Sequence, residues 1–179
     1  LYHPCQVMAD CMTLLEHRGR LDGLRIAFIG DANNMANSWI NAARQFDFEF
    51  VLACPEGYEP QAEIFEAARG RGARVEVTHD VAAAAAGADA LYTDVWTSMG
   101  QEAESERRKR DFHDFQINGA LVARAKPDAV VMHCLPAHRG EEITSDVIDG
   151  PQAVVFDQAE NRLHAQKGIM VWLDEQSRA

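Results

Sequence analysis

The sequence has few cysteines, and none of them are paired at metal-binding or redox spacing. Cys5, Cys11, Cys54 and Cys134 are the four in 179 residues, and no C-x-x-C pair occurs. The zinc-ribbon and thioredoxin-like signatures are therefore excluded. A disulfide scaffold is not indicated either, and so few cysteines fit a reducing compartment, which predicts a cytoplasmic location.

Long hydrophobic runs and an excess of positive charge are also missing. The longest monotonous stretch, residues 81–86, is far shorter than the roughly 18–20 residues of a membrane span. There are 17 Lys and Arg against 28 Asp and Glu, a formal net charge of −11. We therefore expect neither a membrane nor a nucleic acid as the main partner, although a local site can still attract small anions. We expect no signal peptide, and an opening Leu1 suggests a fragment or a processed chain.

What the sequence does contain is an alternation of strand-length and helix-length segments. Strands are predicted at 25–29, 48–54, 74–78, 90–94, 129–133 and 153–156. Helices are predicted at 3–18, 35–46, 60–70, 81–87 and 157–177, with further helical turns within 105–124. Near-continuous apolar strands that alternate with helices predict an α/β fold, a Rossmann-like open parallel sheet with helices on both faces. We expect five or six strands.

Polar residues cluster where three of these strands end. The clusters are residues 30–34 (GDANN), 94–100 (DVWTSMG) and 133–140 (HCLPAHRG). Ligands of open α/β sheets bind beyond the carboxyl ends of the strands, so we predict one site there. A dinucleotide site is not indicated, because Gly30 is the only glycine of the required fingerprint.

Each of these polar residues also has an ordinary structural interpretation. Asn33 or Asn34 can simply cap the next helix, although an amide also suits a carboxylate or amide ligand. Asp94 can be a loop carboxylate or the partner of an ammonium group. Cys134 can be an inert buried thiol or can face the ligand. The basic run 107–110 follows several glutamates and is predicted to be a solvated helix face.

Five short motifs taken together resemble the second half of the ornithine carbamoyltransferase family. They are HPCQ at 3–6, DANN at 31–34, DVWTSMG at 94–100, HCLP at 133–136 and ENR at 160–162. The SMG and HCLP segments are the most specific. The resemblance spans essentially the whole chain and implies that residues 1–179 form an ornithine-binding domain.

The resemblance implies transfer of the carbamoyl group of carbamoyl phosphate to the δ-amine of L-ornithine, giving citrulline and phosphate without a metal or other cofactor. Carbamoyl phosphate would contact His3, Gln6, Cys134, Leu135 and Arg162. The amino-acid part of ornithine would contact Asn34, Asp94, Ser98 and Met99. Four of these are implied as catalytic: Cys134, Asp94, His3 and Arg162. The first two would orient the amine or accept its proton, and the last two would polarise the carbonyl oxygen.

One part of the family pattern is missing. The family has an amino-terminal domain with a Ser-x-Arg-Thr-Arg phosphate loop, and no such segment occurs here. Family members are homotrimers whose sites borrow residues from a neighbouring chain. We therefore expect little or no transferase activity from this chain alone. The final helix, at about 157–177, would pack on the missing domain and would leave apolar residues without a partner: Ile169, Met170, Val171, Trp172 and Leu173.

Two other functions remain open on the sequence. One is a non-catalytic module that binds ornithine, for sensing or for pairing with a partner. The other is a carbamoyltransferase for a different amine, although Asp94 with Ser98 suits the free α-ammonium of unmodified ornithine. A nucleotide-binding dehydrogenase domain is disfavoured by the missing glycines.

Overall fold

Five parallel strands form a single open sheet in the computed structural model, which describes residues 1–97 and 102–178. The strand order is β3-β2-β1-β4-β5. The strands are β1 (Arg25–Ile29), β2 (Glu49–Ala53), β3 (Arg74–Thr78), β4 (Ala90–Thr93) and β5 (Val130–His133). The order reverses between β1 and β4, which places the switch point of the sheet at the ends of those two strands. The predicted Rossmann-like parallel sheet is confirmed.

Helices cover both faces of the sheet. They are α1 (Pro4–Arg18), α2 (Asn34–Ala42), α3 (Ala62–Arg69), α4 (Val81–Ala85), α5 (Ser105–Asp111), α6 (Gly119–Val122), α7 (Ser145–Ile148) and α8 (Val155–Ser177). Side chains alternate along each strand. On β1, Phe28 therefore belongs to one core cluster and Ile29 to the cluster on the opposite face. None of the helices in the described part of the chain is long and apolar enough to cross a membrane.

Helix α2 is held on the sheet by aromatic packing. Trp39 is fully buried, stacks on Phe50 with ring centroids 6.2 Å apart and meets Tyr92 edge-on at 5.6 Å. Such pairs add to the free energy gained from the burial of their area. This packing fixes the position of the amino-terminal end of α2, where Asn34 lies.

The predicted sixth strand, at 153–156, is wrong. Ala153 forms an isolated bridge with Val131, and α8 begins at Val155, two residues before its predicted start. Val154 packs in the core cluster on one face of the sheet, and Val155 packs in the cluster on the other face. The apolar run therefore reflects burial between the two layers and not the extension of a strand.

The predicted solvated face of the basic run is wrong at its second arginine. Arg108 is buried, and its guanidinium donates hydrogen bonds to the Asp31 carboxylate and to the Trp96 carbonyl. It also lies 5.0 Å from the ring centroid of Tyr58 and 5.1 Å from that of Phe112. These contacts tie α5 to the ends of β1 and β4.

The two ends of α8 differ in their surroundings. Gln158 and Asn161 are buried near the amino-terminal end, where α8 packs on α1. Near the carboxyl-terminal end, four apolar residues are 53–62% exposed: Met170, Val171, Trp172 and Leu173. Ile169 beside them is partly buried. Of the five apolar residues named here from the sequence, four are therefore exposed on this chain.

Candidate active site

A cavity of about 620 Å³ opens at the carboxyl ends of β1, β4 and β5. Six of the residues predicted from the sequence line it: His3, Asn34, Asp94, Cys134, Leu135 and Arg162. They come from α1, α2, α8 and the segments that follow β4 and β5. The structure thus brings together side chains that are as far apart as residues 3 and 162 in the sequence.

The two neighbouring asparagines have different roles. Asn33 is the N-cap of α2, because its Oδ1 accepts hydrogen bonds from the backbone N–H groups of Met35 at 2.8 Å and Ala36 at 3.2 Å. Its Nδ2 donates to Asp94 Oδ2 at 2.7 Å. Asn34, the first residue of α2, faces the cavity instead. The capping interpretation therefore holds for Asn33, whereas Asn34 lines the cavity, where a ligand can contact it.

Asp94 is fixed from two directions at the end of β4. Besides the bond from Asn33, its Oδ1 accepts a hydrogen bond from the backbone N–H of Val95 at 2.8 Å. Each carboxylate oxygen can accept more than one hydrogen bond, so acceptor sites remain for a ligand. The result is a rigid anionic acceptor in the wall of the cavity, suited to an ammonium group.

His3 stands at the start of α1. Its backbone N–H donates to the Ser38 hydroxyl at 2.7 Å, which holds α1 against α2. Burial and the nearby Arg162 charge lower the pKa of the His3 imidazole, although the Asp94 charge opposes them. The ring is therefore neutral at pH 7 and offers one N–H donor and one acceptor nitrogen.

Arg162 reaches the cavity from α8 and is anchored by two glutamine side chains. Its Nη1 donates to Gln6 Oε1 at 2.6 Å. With its oxygen turned towards Arg162, Gln166 accepts bonds from Nη2 at 3.0 Å and Nε at 3.2 Å. Gln6 itself is buried and is not among the lining residues, so it lies behind the wall of the cavity. Its contact to the predicted site is therefore made through Arg162.

Cys134 follows β5 and is partly buried in the cavity wall. Burial, reinforced by the Asp94 charge, raises the pKa of the Cys134 thiol well above its usual range. The group is therefore a thiol at neutral pH and not a thiolate. In this state it can orient a ligand, but it cannot accept a proton unless it first loses its own.

The turn after Cys134 is held by a buried histidine. Leu135 has a positive φ of 55°, which is uncommon for a residue other than glycine. Its backbone N–H donates to His133 Nδ1 at 2.9 Å, and His133 Nε2 donates to Glu142 Oε1 at 3.1 Å. Glu142 also accepts a hydrogen bond from the backbone N–H of His138. These bonds stabilise the strained conformation that places Leu135 on the cavity.

Two predicted ornithine contacts, Ser98 and Met99, lie outside the described residues. Thr97 precedes them and Ser105 follows, and both of these line the cavity. Described residues from both sides of this stretch therefore line the cavity.

Sequence reasoning missed a charged part of the lining. Lys109 and Glu141 line the cavity and form an ion pair, with Nζ 2.8 Å from Oε1. Lys109 lies in the basic run, and Glu141 directly follows the polar cluster at 133–140. Ligand atoms of His138, Glu141 and Glu142 lie within 4.8 Å of one another, but Lys109 and His133 already bind the two carboxylates. We assign no metal to them.

Residues 22–173 match the family described as aspartate/ornithine carbamoyltransferase, Asp/Orn binding domain. The chain belongs to this family. The family prediction from the motifs is thus confirmed, and the match covers every lining residue except His3.

Proteins with the name ornithine carbamoyltransferase are also similar to this chain over nearly its whole length. The ornithine carbamoyltransferase of Methanosarcina mazei is 54% identical over 171 residues, which cover 96% of this chain and 57% of that protein. The ornithine carbamoyltransferase of Methylococcus capsulatus is 55% identical over 172 residues, with the same coverage. The chain therefore spans little more than half the length of these carbamoyltransferase relatives.

Solved structures of carbamoyltransferases share the fold. The ornithine carbamoyltransferase from Pyrococcus furiosus superposes with a TM-score of 0.89 at 50% identity, covering 95% of this chain and 56% of that one. The anabolic enzyme from Campylobacter jejuni gives a TM-score of 0.93 at 39% identity, covering 98% and 60%. An N-acetyl-L-ornithine transcarbamylase mutant gives 0.81 at 32% identity, covering 94% and 55%.

Proposed function

We propose that this chain is the ornithine-binding part of an ornithine carbamoyltransferase, which transfers a carbamoyl group from carbamoyl phosphate to the δ-amine of L-ornithine. The products are citrulline and phosphate. The observation that carries the proposal is one cavity that combines a fixed carboxylate, Asp94, with the donor groups of His3 and Arg162. The names of the relatives support the same substrates.

The carboxylate suits the amino-acid substrate. An amine such as the ornithine δ-amine has a reference pKa of about 10.4, so it reaches the site protonated, and only the neutral form attacks a carbonyl carbon. Because the Cys134 thiol keeps its own proton, we propose that Cys134 orients the amine and that Asp94 accepts the proton. Asn34, with Ser98 and Met99, would hold the rest of ornithine.

The donors suit the carbamoyl group. As the amine attacks, negative charge develops on the carbonyl oxygen, and fixed donors that point at it lower the barrier. The neutral His3 ring and the Arg162 guanidinium are proposed to supply those donors. The backbone of Cys134 and Leu135 is proposed to receive the carbamoyl NH2 group. Gln6, which the sequence also predicts to contact this group, lies behind the cavity wall and is proposed to act through Arg162. Holding two reactants together can supply several kcal/mol more.

The exposed end of α8 supports a larger assembly. We propose that Met170, Trp172 and their apolar neighbours pack on a carbamoyl-phosphate domain, and that the intact enzyme is a cytoplasmic homotrimer. Exposed contiguous apolar residues of this kind mark contact surfaces. Sedimentation of an enzyme that carries both domains tests the trimer, and a monomeric active enzyme would contradict it.

Calorimetric titration of the purified chain tests the substrate. L-ornithine is expected to bind, and N-acetyl-L-ornithine and L-aspartate are expected to bind at least about tenfold more weakly. N-acetyl-L-ornithine has no free α-ammonium to pair with Asp94, and L-aspartate has one but is not a cationic ligand. Citrulline formation by the chain alone is expected to be undetectable. Preferential binding of N-acetyl-L-ornithine or L-aspartate would show that the amine is a different one, and no binding of any of the three would refute the proposal.

A further inference from the structure

A buried carboxyl group beneath the cavity has no part in the reaction proposed above. Asp10, on α1, is fully buried. Its Oδ1 accepts hydrogen bonds from Gln6 Nε2 at 2.8 Å and from Gln158 Nε2 at 2.7 Å. Its Oδ2 is buried and has no hydrogen-bond partner among residues 1–97 and 102–178. Burial of an ionisable group is unfavourable, so this group needs a physical reason.

The two amides that bind Asp10 both lead to the site. Gln6 Oε1 accepts a bond from Arg162 Nη1 at 2.6 Å. Gln158 Oε1 accepts a bond from the backbone N–H of His133 at 2.9 Å, at the end of β5 just before Cys134. Each glutamine therefore has its nitrogen on Asp10 and its oxygen on a group that adjoins the cavity.

The chemistry of a carboxylate forces this arrangement. An ionised carboxylate is only an acceptor, whereas an amide has a donor end and an acceptor end. Both glutamines must therefore turn their nitrogens to Asp10, and their oxygens point the other way. The donors on the far side, Arg162 and the His133 backbone N–H, favour the same orientation, so without the Asp10 carboxylate each amide is held at its oxygen end only.

We propose that Asp10 is a positioning residue, which sets the orientation of both amides and thereby fixes Arg162 through Gln6 and the end of β5 through Gln158. One carboxyl group would thus align the two sides of the cavity. A consequence, which rests on the proposed function, is that Gln6 keeps its oxygen on Arg162 and so holds the guanidinium in place for the carbamoyl group.

The surroundings of Asp10 make its ionisation observable. Burial raises the pKa of Asp10 to about 7, although the bonds from Gln6 and Gln158 oppose the shift. The other titratable or charged groups that act on it are Arg162 on α8, Tyr92 on β4, Cys134 beyond β5 and its neighbour Cys11. Burial raises the pKa of Cys11 to about 12 and those of Tyr92 and Cys134 well above their usual ranges, so these three do not titrate near pH 7.

Nuclear magnetic resonance of the chain labelled with 15N-glutamine tests the orientation directly. Hydrogen bonds to a carboxylate are stronger than those to a neutral carboxyl group. The side-chain amide signals of Gln6 and Gln158 are therefore expected to shift together between pH 5 and 9, with one midpoint near 7. In Asp10→Asn both shifts should vanish. Separate midpoints, the same shift in Asp10→Asn, or amide signals of Asp10→Asn that match those of the wild-type protein at pH 9 would overturn the proposal.

Thr13→Val is the matched control. Thr13 lies one turn further along α1, donates to the Ala9 carbonyl and accepts from Asn161, so its loss also removes buried bonds at the contact of α1 with α8. The shared titration is expected to survive in this variant. Because that result and the wild-type titration do not need Asp10→Asn to fold, the proposal remains testable if that variant unfolds.

Binding of phosphonoacetamide, a stable mimic of carbamoyl phosphate, tests the functional consequence. Affinity in Asp10→Asn is expected to fall about fivefold, as for the loss of one well-oriented hydrogen bond, and to be unchanged in Thr13→Val. Equal affinities in the two variants would overturn the role in binding. The measurement uses a protein that carries both domains; if that wild-type protein binds none, the carbamoyl part of the proposed function fails, while the shared titration still decides the positioning role.

Discussion

Two cavities of nearly equal volume differ in the chemistry of their walls. The cavity at the strand ends has about 620 Å³ and contains charged residues of both signs, among them Asp94, Lys109 and Arg162. The other, between α1 and α2, has about 630 Å³ and is mostly apolar, with Val7, Met8, Met12, Leu15 and Phe46 in its wall. Volume alone therefore does not identify the site.

The same two helices build both cavities. The amino-terminal ends of α1 and α2 present His3 and Asn34 to the polar cavity, while later turns present Met8 and Ala42 to the apolar one. The amino-terminal end of a helix carries the positive end of the helix dipole, which favours polar and anionic ligands. The chemistry of a cavity therefore depends on which end of a helix faces it as well as on which side chains the helix contributes.

Replacement of the carboxylate should separate the two cavities most sharply. In Asp94→Asn, the affinity for L-ornithine is expected to fall about 100-fold, because the ammonium loses its charged partner. Met12→Ala, which changes the apolar cavity, should leave the affinity unchanged. Calorimetry on both variants measures this, and equal losses would mean that ornithine binds elsewhere.

A buried ion pair between Arg108 and Asp31 supports the segments that form the polar cavity. In Asp31→Ala, the buried Arg108 loses its carboxylate, and the free energy of unfolding is expected to drop by about 3 kcal/mol. Arg107→Met removes an exposed pair with Asp111 and should have no measurable effect. Urea titrations compare the two, and similar stabilities would contradict a structural role for Arg108.

Loss of either of two helix N-caps is expected to lower stability by a smaller amount, but only one of the two losses should weaken ligand binding. Asn33→Ala and Asp80→Ala each remove an N-cap, of α2 and α4 respectively, at a cost of about 1 kcal/mol. Only Asn33 also donates to Asp94, so only Asn33→Ala should weaken L-ornithine binding, by about fivefold. Thermal unfolding and calorimetry together test this, and an equal loss of affinity in both variants would count against it.

The smallest expected effect concerns two thiols, one in each cavity. Burial raises the pKa of both Cys134 and Cys11, so alkylation by iodoacetamide should be slow at pH 7 and should accelerate only at strongly alkaline pH. The Asp94 charge adds to the shift at Cys134, so Asp94→Asn should speed alkylation of Cys134 several-fold and leave Cys11 unaffected. Peptide mass mapping measures both rates. Fast alkylation of Cys134 at pH 7 would contradict its neutral state.

Most of the fold and part of the site follow from local features of the sequence. Apolar runs that alternate with helical segments predict the parallel sheet, and polar clusters at strand ends predict where the cavity opens. The sequence does not distinguish Asn33 from Asn34, because the choice of N-cap depends on where α2 starts. The predicted strand at 153–156 is wrong because a short apolar run that is buried between two layers has the same sequence pattern as a buried strand.

The buried charges could not be predicted, because they depend on distant partners. Arg108 is paired with Asp31, which lies 77 residues away in the sequence, and looks like any solvated arginine without it. Asp10 meets Gln158 across 148 residues. Periodicity describes which face of a helix is buried, but it gives no information about which polar groups meet inside.

Helix α8 has 23 residues, so at 1.5 Å per residue it is about 34 Å long, about the width of a small domain. Its first turns rest on α1, where amide protons exchange with solvent only when much of the domain opens. Beyond about residue 170 the helix is held by its own backbone bonds, and exchange there is expected to be fast. One helix thus spans nearly the full range of local stability in the molecule. Any partner that covers Trp172 would slow the exchange of the last turns first.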